Sequence, residues 1–414
     1  MSMSIVRPWE VLFPWMAEIR FERLLGAAML LAVFIGARSQ FRMSLQTATV
    51  FLFLSALGLS GIASLSMTLA WDAFYPVLSV VAVYLALQFV IRTPYELLFI
   101  VIIVVVTMAA YFGKAEWEYY VNNSGIYDMG VHRMVGLDKT DGHPNAVAQT
   151  AVITMPIVLS LWLVRHEVIQ RWPTLYRKLF PLFLIATFLL CATSVVLTNS
   201  RMGMLASGFF VGLAVLRRKG MWKRAWLVLL AVLMLIATWH FMPEESQNRL
   251  RTLWDREAGP ANAYTSAEGR VEGFIVGMEM YHRFPWLGVG IGNFKEYRVA
   301  YLDRVDLHAH NLLGQLLGET GMIGTVAFIF MMLVTFWNIN KLINQARGNP
   351  QTDTGKIMEN LGIAFREIMW LLLFTGISSH NLYKIYWIWI AAFALVGTRL
   401  MQSLAALPQR TTAA

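Results

Sequence analysis

Long apolar segments constrain this chain more strongly than any other feature. Eleven of them recur along its 414 residues, at about 24–37, 45–63, 73–91, 95–113, 145–164, 179–198, 203–216, 225–241, 311–338, 361–379 and 385–404. A helix of about 20 apolar residues crosses the hydrocarbon core of a bilayer. Because the chain is 57% hydrophobic and only 14% charged, it is predicted to be an all-α polytopic membrane protein and not a soluble one.

The net charge of +9 is divided among short loops between the apolar segments. Lysine and arginine crowd the loops near 165–178, 217–224 and 341–356, which share one side if the spans alternate. Positively charged loops mark the cytoplasmic side, so we expect a protein of the cytoplasmic membrane, surrounded by membrane lipids and without a nucleic-acid partner. The piece before Leu24 is open between an interfacial helix and a short first span. The single cysteine, Cys191, excludes an intramolecular disulfide and a multi-cysteine metal site.

One polar segment divides the chain into three parts, 1–241, 242–310 and 311–414. The alternation of spans places 242–310 outside the cytoplasm, where it is predicted to form a small helical cap over the bundle. Thr265 and Glu268 have the spacing of a capping box, which predicts that a helix begins there. Apolar residues then recur at helical spacing as far as Tyr281.

A histidine pair precedes the apolar segment at 311–338. His310 is expected at the mouth of a membrane helix, where the first turn and the helix dipole disfavour a positive charge. A neutral imidazole can accept a proton, so His310 is a candidate general base, with His308 and Asn311 beside it. The glycines that follow, Gly314, Gly318, Gly321 and Gly324, are predicted to share one helix face that another helix approaches closely.

Two arginines are candidate anion-binding residues. Arg201 lies between two apolar segments, where a charge requires a partner or a wet cavity; the alternative is an arginine that extends to the membrane surface. Arg270 follows the predicted capping box, and a helix start favours anions; the alternative is a surface ion pair with Glu268 or Glu272. The glycine-rich segment 284–294 is expected to form a tight turn that brings His310 back to the membrane.

The remaining polar residues leave several interpretations open. His143 and Asn145 begin a span on the same side and are candidates for a supporting role, as is the intramembrane Glu319. His380 is interpreted as interfacial. Asp306, His308 and His310 could form part of a metal site, although no further ligand cluster is evident, and nothing positions the glutamates of 268–279 as a glycosidase pair.

Several short motifs together resemble those of the bacterial O-antigen ligases and their relatives, the O-antigen polymerases and protein O-oligosaccharyltransferases. They comprise His310-Asn311 followed by Gly321-x-x-Gly324-Thr325, Ser200-Arg201-x-Gly203, Gly269-Arg270, the Pro285-x-x-Gly288-x-Gly290 segment and His143-Pro144-Asn145. The resemblance extends over about 198–325, and before residue 140 it is confined to hydropathy. It implies a GT-C-like glycosyltransferase of the inner membrane, with about twelve transmembrane helices and an active site facing the periplasm.

The resemblance also implies a reaction. A glycan would pass from an undecaprenyl diphosphate donor to the lipid A core oligosaccharide, by inverting transfer without a metal or other cofactor. His310 would be catalytic, and Arg201 and Arg270 would hold the diphosphate. A polymerase or a protein O-oligosaccharyltransferase would use the same chemistry on another acceptor. A transporter of lipid-linked glycans is the non-enzymatic alternative.

Overall fold

The computed structural model describes residues 43–128, 130–137, 142–170, 172–252, 255 and 261–405. The predicted span at 24–37 and the ambiguous piece before it lie outside these ranges. The helices are, in chain order, α1 (Leu45–Ile62), α2 (Met67–Val90), α3 (Pro94–Val121), α4 (Pro144–Leu163), α5 (Arg165–Ile169), α6 (Thr174–Leu197), α7 (Arg201–Arg217), α8 (Met221–Phe241), α9 (Glu244–Arg251), α10 (Ala261–Arg283), α11 (Phe294–Tyr301), α12 (Leu312–Arg347), α13 (Asp353–Gly376) and α14 (Tyr386–Ala405).

Each predicted span within the described ranges coincides with a helix. Seven of these helices, α1, α2, α3, α4, α6, α12 and α14, are long and apolar enough to cross a membrane. The chain is therefore a multi-pass membrane protein whose described residues are mostly helical, as predicted. Among the elements that were not predicted is a hairpin after α3, in which strands β1 (Ile126–Asp128) and β2 (Val131–Arg133) pair in an antiparallel manner.

Helix α12 is the centre of the bundle and packs against α1, α10, α13 and α14. It is broken at Gly321, whose φ of 60° and ψ of −158° are not helical. The chain after α10 fills the break: Met322 N donates to Pro285 O over 2.8 Å, and Val289 N donates to Gly318 O over 2.9 Å. Irregular backbone at membrane depth needs such partners, because lipid supplies none. The segment 285–292, predicted as a simple turn, is thus built into the broken helix.

The predicted glycine face is confirmed for two of its four members. A Cβ on Gly314 would lie 2.9 Å from Gly273 O of α10, and one on Gly318 would lie 3.2 Å from the Cα of Gly277. The backbones of α10 and α12 therefore approach closely, because Gly273 and Gly277 on α10 and Gly314 and Gly318 on α12 all lack a side chain. Gly321 does not belong to this face, since it forms the break itself.

The predicted start of α10 was wrong. The helix begins at Ala261, four residues before Thr265, so Thr265 lies inside it and does not cap it. Residues 261–264 contain two alanines, the strongest helix formers, and no helix breaker, which is why the helix extends in the N-terminal direction. Arg270 consequently lies in the third turn, and a helix N-terminus contributes nothing to its environment.

Replacing Gly288 with alanine should destabilise the protein strongly. Gly288 has a φ of +67°, and a Cβ there would clash with the backbone carbonyl of Glu319 at the break in α12. The φ strain alone costs about 1–3 kcal/mol, so the melting temperature of the detergent-solubilised protein should fall. Gly208→Ala on α7 is the matched control, because a methyl group there meets nothing within 4 Å. An equal melting temperature for the two variants would contradict this account of the break.

Candidate functional site

His310 lies in the loop that leads into α12. Its φ of +50° is left-handed, a conformation that non-glycine residues adopt only when their surroundings hold them in it. Asn311 supplies that hold: it caps α12 by accepting from Gly314 N, and its Nδ2 donates to Arg270 O over 3.1 Å and to Ala309 O over 3.0 Å. The capping residue thus joins the His310 loop to α10 at the position of Arg270.

Three histidine rings are in contact at this point. The centroid of the His310 ring is 5.2 Å from that of His380 and 6.4 Å from that of His308. His308 stacks on His380 with centroids 4.6 Å apart. His380, interpreted from sequence as interfacial, is therefore a neighbour of the candidate base. Its Nδ1 is buried and finds no hydrogen-bond partner within the described ranges.

The environment keeps His310 neutral. Burial, and after it the neighbouring His308 and Arg270, lower the pKa of His310 to about 4. Burial and the same histidine cluster lower the pKa of His380 to about 3. The cause differs from the predicted one, because burial and cationic neighbours dominate and not the helix end. An unprotonated imidazole at pH 7 has a lone pair that can accept a proton.

Arg201 and Arg270 are brought to the same region from helices α7 and α10. Arg201 is only 7% exposed, and its Nη1 donates to Thr252 Oγ1 over 2.9 Å, so it does not extend to the membrane surface. Burial, followed by the charges of Arg201 and Arg133, lowers the pKa of Arg270. Glu272, considered as a surface partner of Arg270, instead pairs with Arg298 at 3.0 Å.

Two further arginines complete a cluster that sequence reasoning missed. Arg133 of β2 is 1% exposed and donates to Asp128 Oδ2 over 2.6 Å and to Thr198 O over 2.9 Å. Arg249 of α9 is 4% exposed, donates to Asp128 O over 3.2 Å, and its Nε has no partner among the described residues. Burial and the charge of Arg133 lower the pKa of Arg249 to about 10, which leaves it charged at pH 7.

We call Arg133, Arg201, Arg249 and Arg270 the arginine cluster. Asp128 pairs with Arg133, whereas Arg249 and Arg270 form no ion pair with any described residue. Buried charge without a counterion is unfavourable, and guanidinium groups bind phosphate oxygens in a bidentate manner. The arrangement therefore favours an anion with several charges. One signal in the sequence could have identified Arg133. In an extended segment, residues two positions apart lie on the same face, so Arg133 shares the face of the apolar Val131.

His143 and Asn145 lie at the edge of this cluster. His143 is the N-cap of α4, and its Nδ1 accepts from Asn145 N over 3.3 Å. Asn145 Oδ1 accepts from Arg133 Nη2 and from Ser200 Oγ, each over 2.9 Å. Asn145 consequently connects Arg133 to Ser200, the residue before Arg201.

Glu319 is placed elsewhere. It is 2% exposed, and its Oε2 accepts from the Tyr383 hydroxyl and from Gly292 N at 3.1 Å. The partner is thus a tyrosine and a backbone amide, not an arginine. Since Gly290 N also bonds the Glu319 carbonyl, the residue anchors the segment 285–292 in the break of α12.

The residues considered as metal ligands or glycosidase acids have other partners in the structure. In the ranges that the structure describes, no group of three or more His, Cys, Asp or Glu side chains is arranged to hold a metal ion. Asp306, considered as a ligand beside His308 and His310, pairs with Lys295 at 2.9 Å. Glu279, considered as a glycosidase acid, pairs with Arg283.

Part of the chain is similar to a known protein family. Residues 186–329, less than half of the chain, match the family model described as O-Antigen ligase. This stretch includes Arg201, Arg270 and His310, whereas Arg133, Asn145 and His380 lie outside it. No protein of curated function matches the chain. Over residues 186–329, the chain is therefore similar to the O-antigen ligase family.

Proposed function

We propose that this protein is an O-antigen ligase of the bacterial inner membrane. It transfers a glycan from undecaprenyl diphosphate to the lipid A core oligosaccharide on the periplasmic face. The observation that carries the proposal is the joining of His310 to Arg270 through Asn311, beside the arginine cluster. The family supports glycan transfer in general; the donor, the acceptor and the mechanism are our proposal.

The arginine cluster binds the diphosphate. As the bond between the anomeric carbon and the phosphate oxygen breaks, its electron pair passes to the diphosphate, whose added charge needs stabilisation. Arg201 and Arg270 provide it by bidentate hydrogen bonds. The acceptor hydroxyl oxygen forms the new bond from the opposite side, and His310 takes its proton. One displacement of this kind inverts the anomeric carbon.

Binding of the donor should also raise the pKa of His310. A histidine with a pKa of about 4 holds a proton weakly, because burial disfavours its charged form and the neighbouring His308 and Arg270 add to this effect. A diphosphate on the arginine cluster offsets the contribution of the charged neighbours, since a nearby anion favours the imidazolium. His310 is therefore neutral in the free protein and becomes more basic when the donor is bound.

The pH profile should reflect this change. Activity falls where His310 becomes protonated, and kcat/KM reports the pKa of the free protein. Because that pKa is about 4, kcat/KM for the donor should stay level down to about pH 5, below the ordinary histidine pKa near 6.5. The fall in kcat should begin at a higher pH, because the pKa is raised in the complex. Initial rates between pH 4.5 and 8 at varied donor concentration test this. A kcat/KM that falls with an apparent pKa near 6.5 would contradict it.

Transfer should survive chelation. The arginine cluster supplies the positive charge that a divalent ion would otherwise bring to a diphosphate. Purified protein treated with EDTA and dialysed should keep its transfer rate within about twofold. Activity that disappears and returns with one divalent ion would overturn the arginine mechanism.

The organisation of the chain follows from the same proposal. We assign 1–241 to an N-terminal transmembrane bundle, 242–310 to a periplasmic cap and 311–414 to C-terminal transmembrane helices, with about twelve spans in all. The close glycine contact between α10 and α12 supports a cap that is fixed to the bundle at the site.

Deletion of the gene in its own cell separates the alternatives. Loss of a ligase should leave core lipopolysaccharide without O-glycan, while long glycans accumulate on undecaprenyl diphosphate in the periplasmic leaflet. A polymerase deletion would instead leave a single repeat attached to the core. Deletion of a protein O-oligosaccharyltransferase would leave lipopolysaccharide unchanged, and that of a transporter would leave the donor facing the cytoplasm.

A further inference from the structure

A cleft lies beside the β1–β2 hairpin, which also carries Arg133 of the arginine cluster. It has a volume of about 260 Å³, and its lining includes Tyr119, Tyr127, His132, Asn199, Glu245 and Ser246. His132 lines it, whereas the next residue, Arg133, belongs to the arginine cluster. Strand β2 therefore contributes residues both to the cleft and to the arginine cluster.

Two of the other three segments that carry the arginine cluster reach the cleft as well. Asn199 lines it two residues before Arg201, and Ser246 lines it three residues before Arg249 on α9. The Asn199 side chain donates to His132 O over 3.1 Å, which joins two of these segments directly. A molecule in the cleft therefore contacts residues that are at most three positions in the sequence from Arg133, Arg201 or Arg249.

The lining has the chemistry that recognises a saccharide. Tyr127 is 77% exposed, and Tyr119 stacks on His132 with ring centroids 4.9 Å apart. Aromatic faces pack against the apolar face of a sugar ring. Glu245, Asn199 and Ser246 add a carboxylate, an amide and a hydroxyl, which bond sugar hydroxyls as acceptors or donors. The volume is slightly below the roughly 300–1,000 Å³ of sites for small molecules, so it suits one sugar ring and not a long chain.

We propose that this cleft binds one sugar ring of a saccharide substrate. The inference rests on the proposed function, in which a glycan is joined to the diphosphate that the arginine cluster holds. The sugar can come from the donor glycan or from the core acceptor. An isoprenoid chain fits less well, because it would place hydrocarbon against the Glu245 carboxylate, whose desolvation is unfavourable.

Binding without transfer tests the inference apart from the proposed function. The probes are the O-glycan and the core oligosaccharide, each released from the cell's lipopolysaccharide by mild acid, with farnesol as the isoprenoid probe. Saturation-transfer NMR on the full chain in nanodiscs should show binding of one of the two saccharides, and the one that binds identifies the source. Tyr127→Ala should weaken this binding about three- to tenfold, and Glu245→Ala should do likewise.

Matched controls are available on the same elements. Tyr120 is 68% exposed at the end of α3 and does not line the cleft, so Tyr120→Ala should bind as the wild type does. Glu244→Ala is the corresponding control for Glu245→Ala on α9. Neither saccharide binding to the wild type, equal losses in targets and controls, or farnesol binding that Tyr127→Ala removes would each overturn the inference. If saccharide binds but no glycan is transferred, the proposed function fails and the cleft assignment stands.

Discussion

Replacing His310 with alanine should lower the rate of glycan transfer by about 10²–10⁴-fold, the usual contribution of a general base. Donor binding should change little, because the diphosphate rests on the arginine cluster and not on the imidazole. The rate is measured as lipid-linked glycan joined to acceptor at equal protein levels, and donor binding is measured separately on the same preparation.

The left-handed backbone at His310 requires a second variant. Its φ is +50°, so alanine could lower activity through strain alone. Asparagine tolerates this conformation yet cannot accept a proton at neutral pH, so His310→Asn should be as inactive as His310→Ala. His308→Ala is the neighbouring control, since His308 is exposed and stacks on His380; its loss should be much smaller. Activity retained in His310→Asn, or equal losses at His308 and His310, would remove His310 from its role.

Arg201→Lys and Arg270→Lys should each reduce transfer about tenfold or more although the charge is kept, because charge-assisted hydrogen bonds contribute roughly 1.5–3 kcal/mol each. A guanidinium holds two phosphate oxygens in one plane, whereas an ammonium is a compact point charge. Lysine at either position loses the second hydrogen bond and misplaces the first. The loss should appear in transfer and in donor affinity, while the melting temperature changes little.

Arg283→Lys is the matched control for the lysine variants. It lies on α10 with Arg270, but it is exposed and pairs with Glu279 one turn away. Exposed pairs of this kind contribute only about 0–1 kcal/mol, so transfer should be near normal. Normal activity in Arg201→Lys and Arg270→Lys would mean that these arginines serve only the packing of the helices.

Much of the membrane fold could be predicted because hydrophobicity alone determines where a helix crosses lipid. The start of α10 could not be predicted. The capping-box pattern at Thr265 indicated a later start, whereas residues 261–264 are already helical because of their own helix propensity. The break at Gly321 was also missed. A glycine inside an apolar run has the same pattern whether it packs or breaks the helix, and only the hydrogen bonds from 285–289 distinguish the two.

Three residues of the candidate site could be singled out from the sequence, whereas three others could not. Arg201, Arg270 and His310 occupy short motifs with characteristic neighbours, so local sequence carries a signal. Arg133, Arg249 and His380 have no such motif. They became evident only from their burial and from the neighbouring charged groups. Both result from the packing of β2, α9 and the loop before α14, which are far apart in the sequence.

Reconstituted transfer tests the central claim most directly. The purified chain is placed in liposomes with undecaprenyl diphosphate-linked glycan and lipid A core, and two products are followed: glycosylated core and free undecaprenyl diphosphate. We expect equal amounts of the two products, with the anomeric configuration inverted, and neither product from His310→Asn. Retained configuration, or glycan that lengthens only on the lipid carrier while the core stays unmodified, would contradict it.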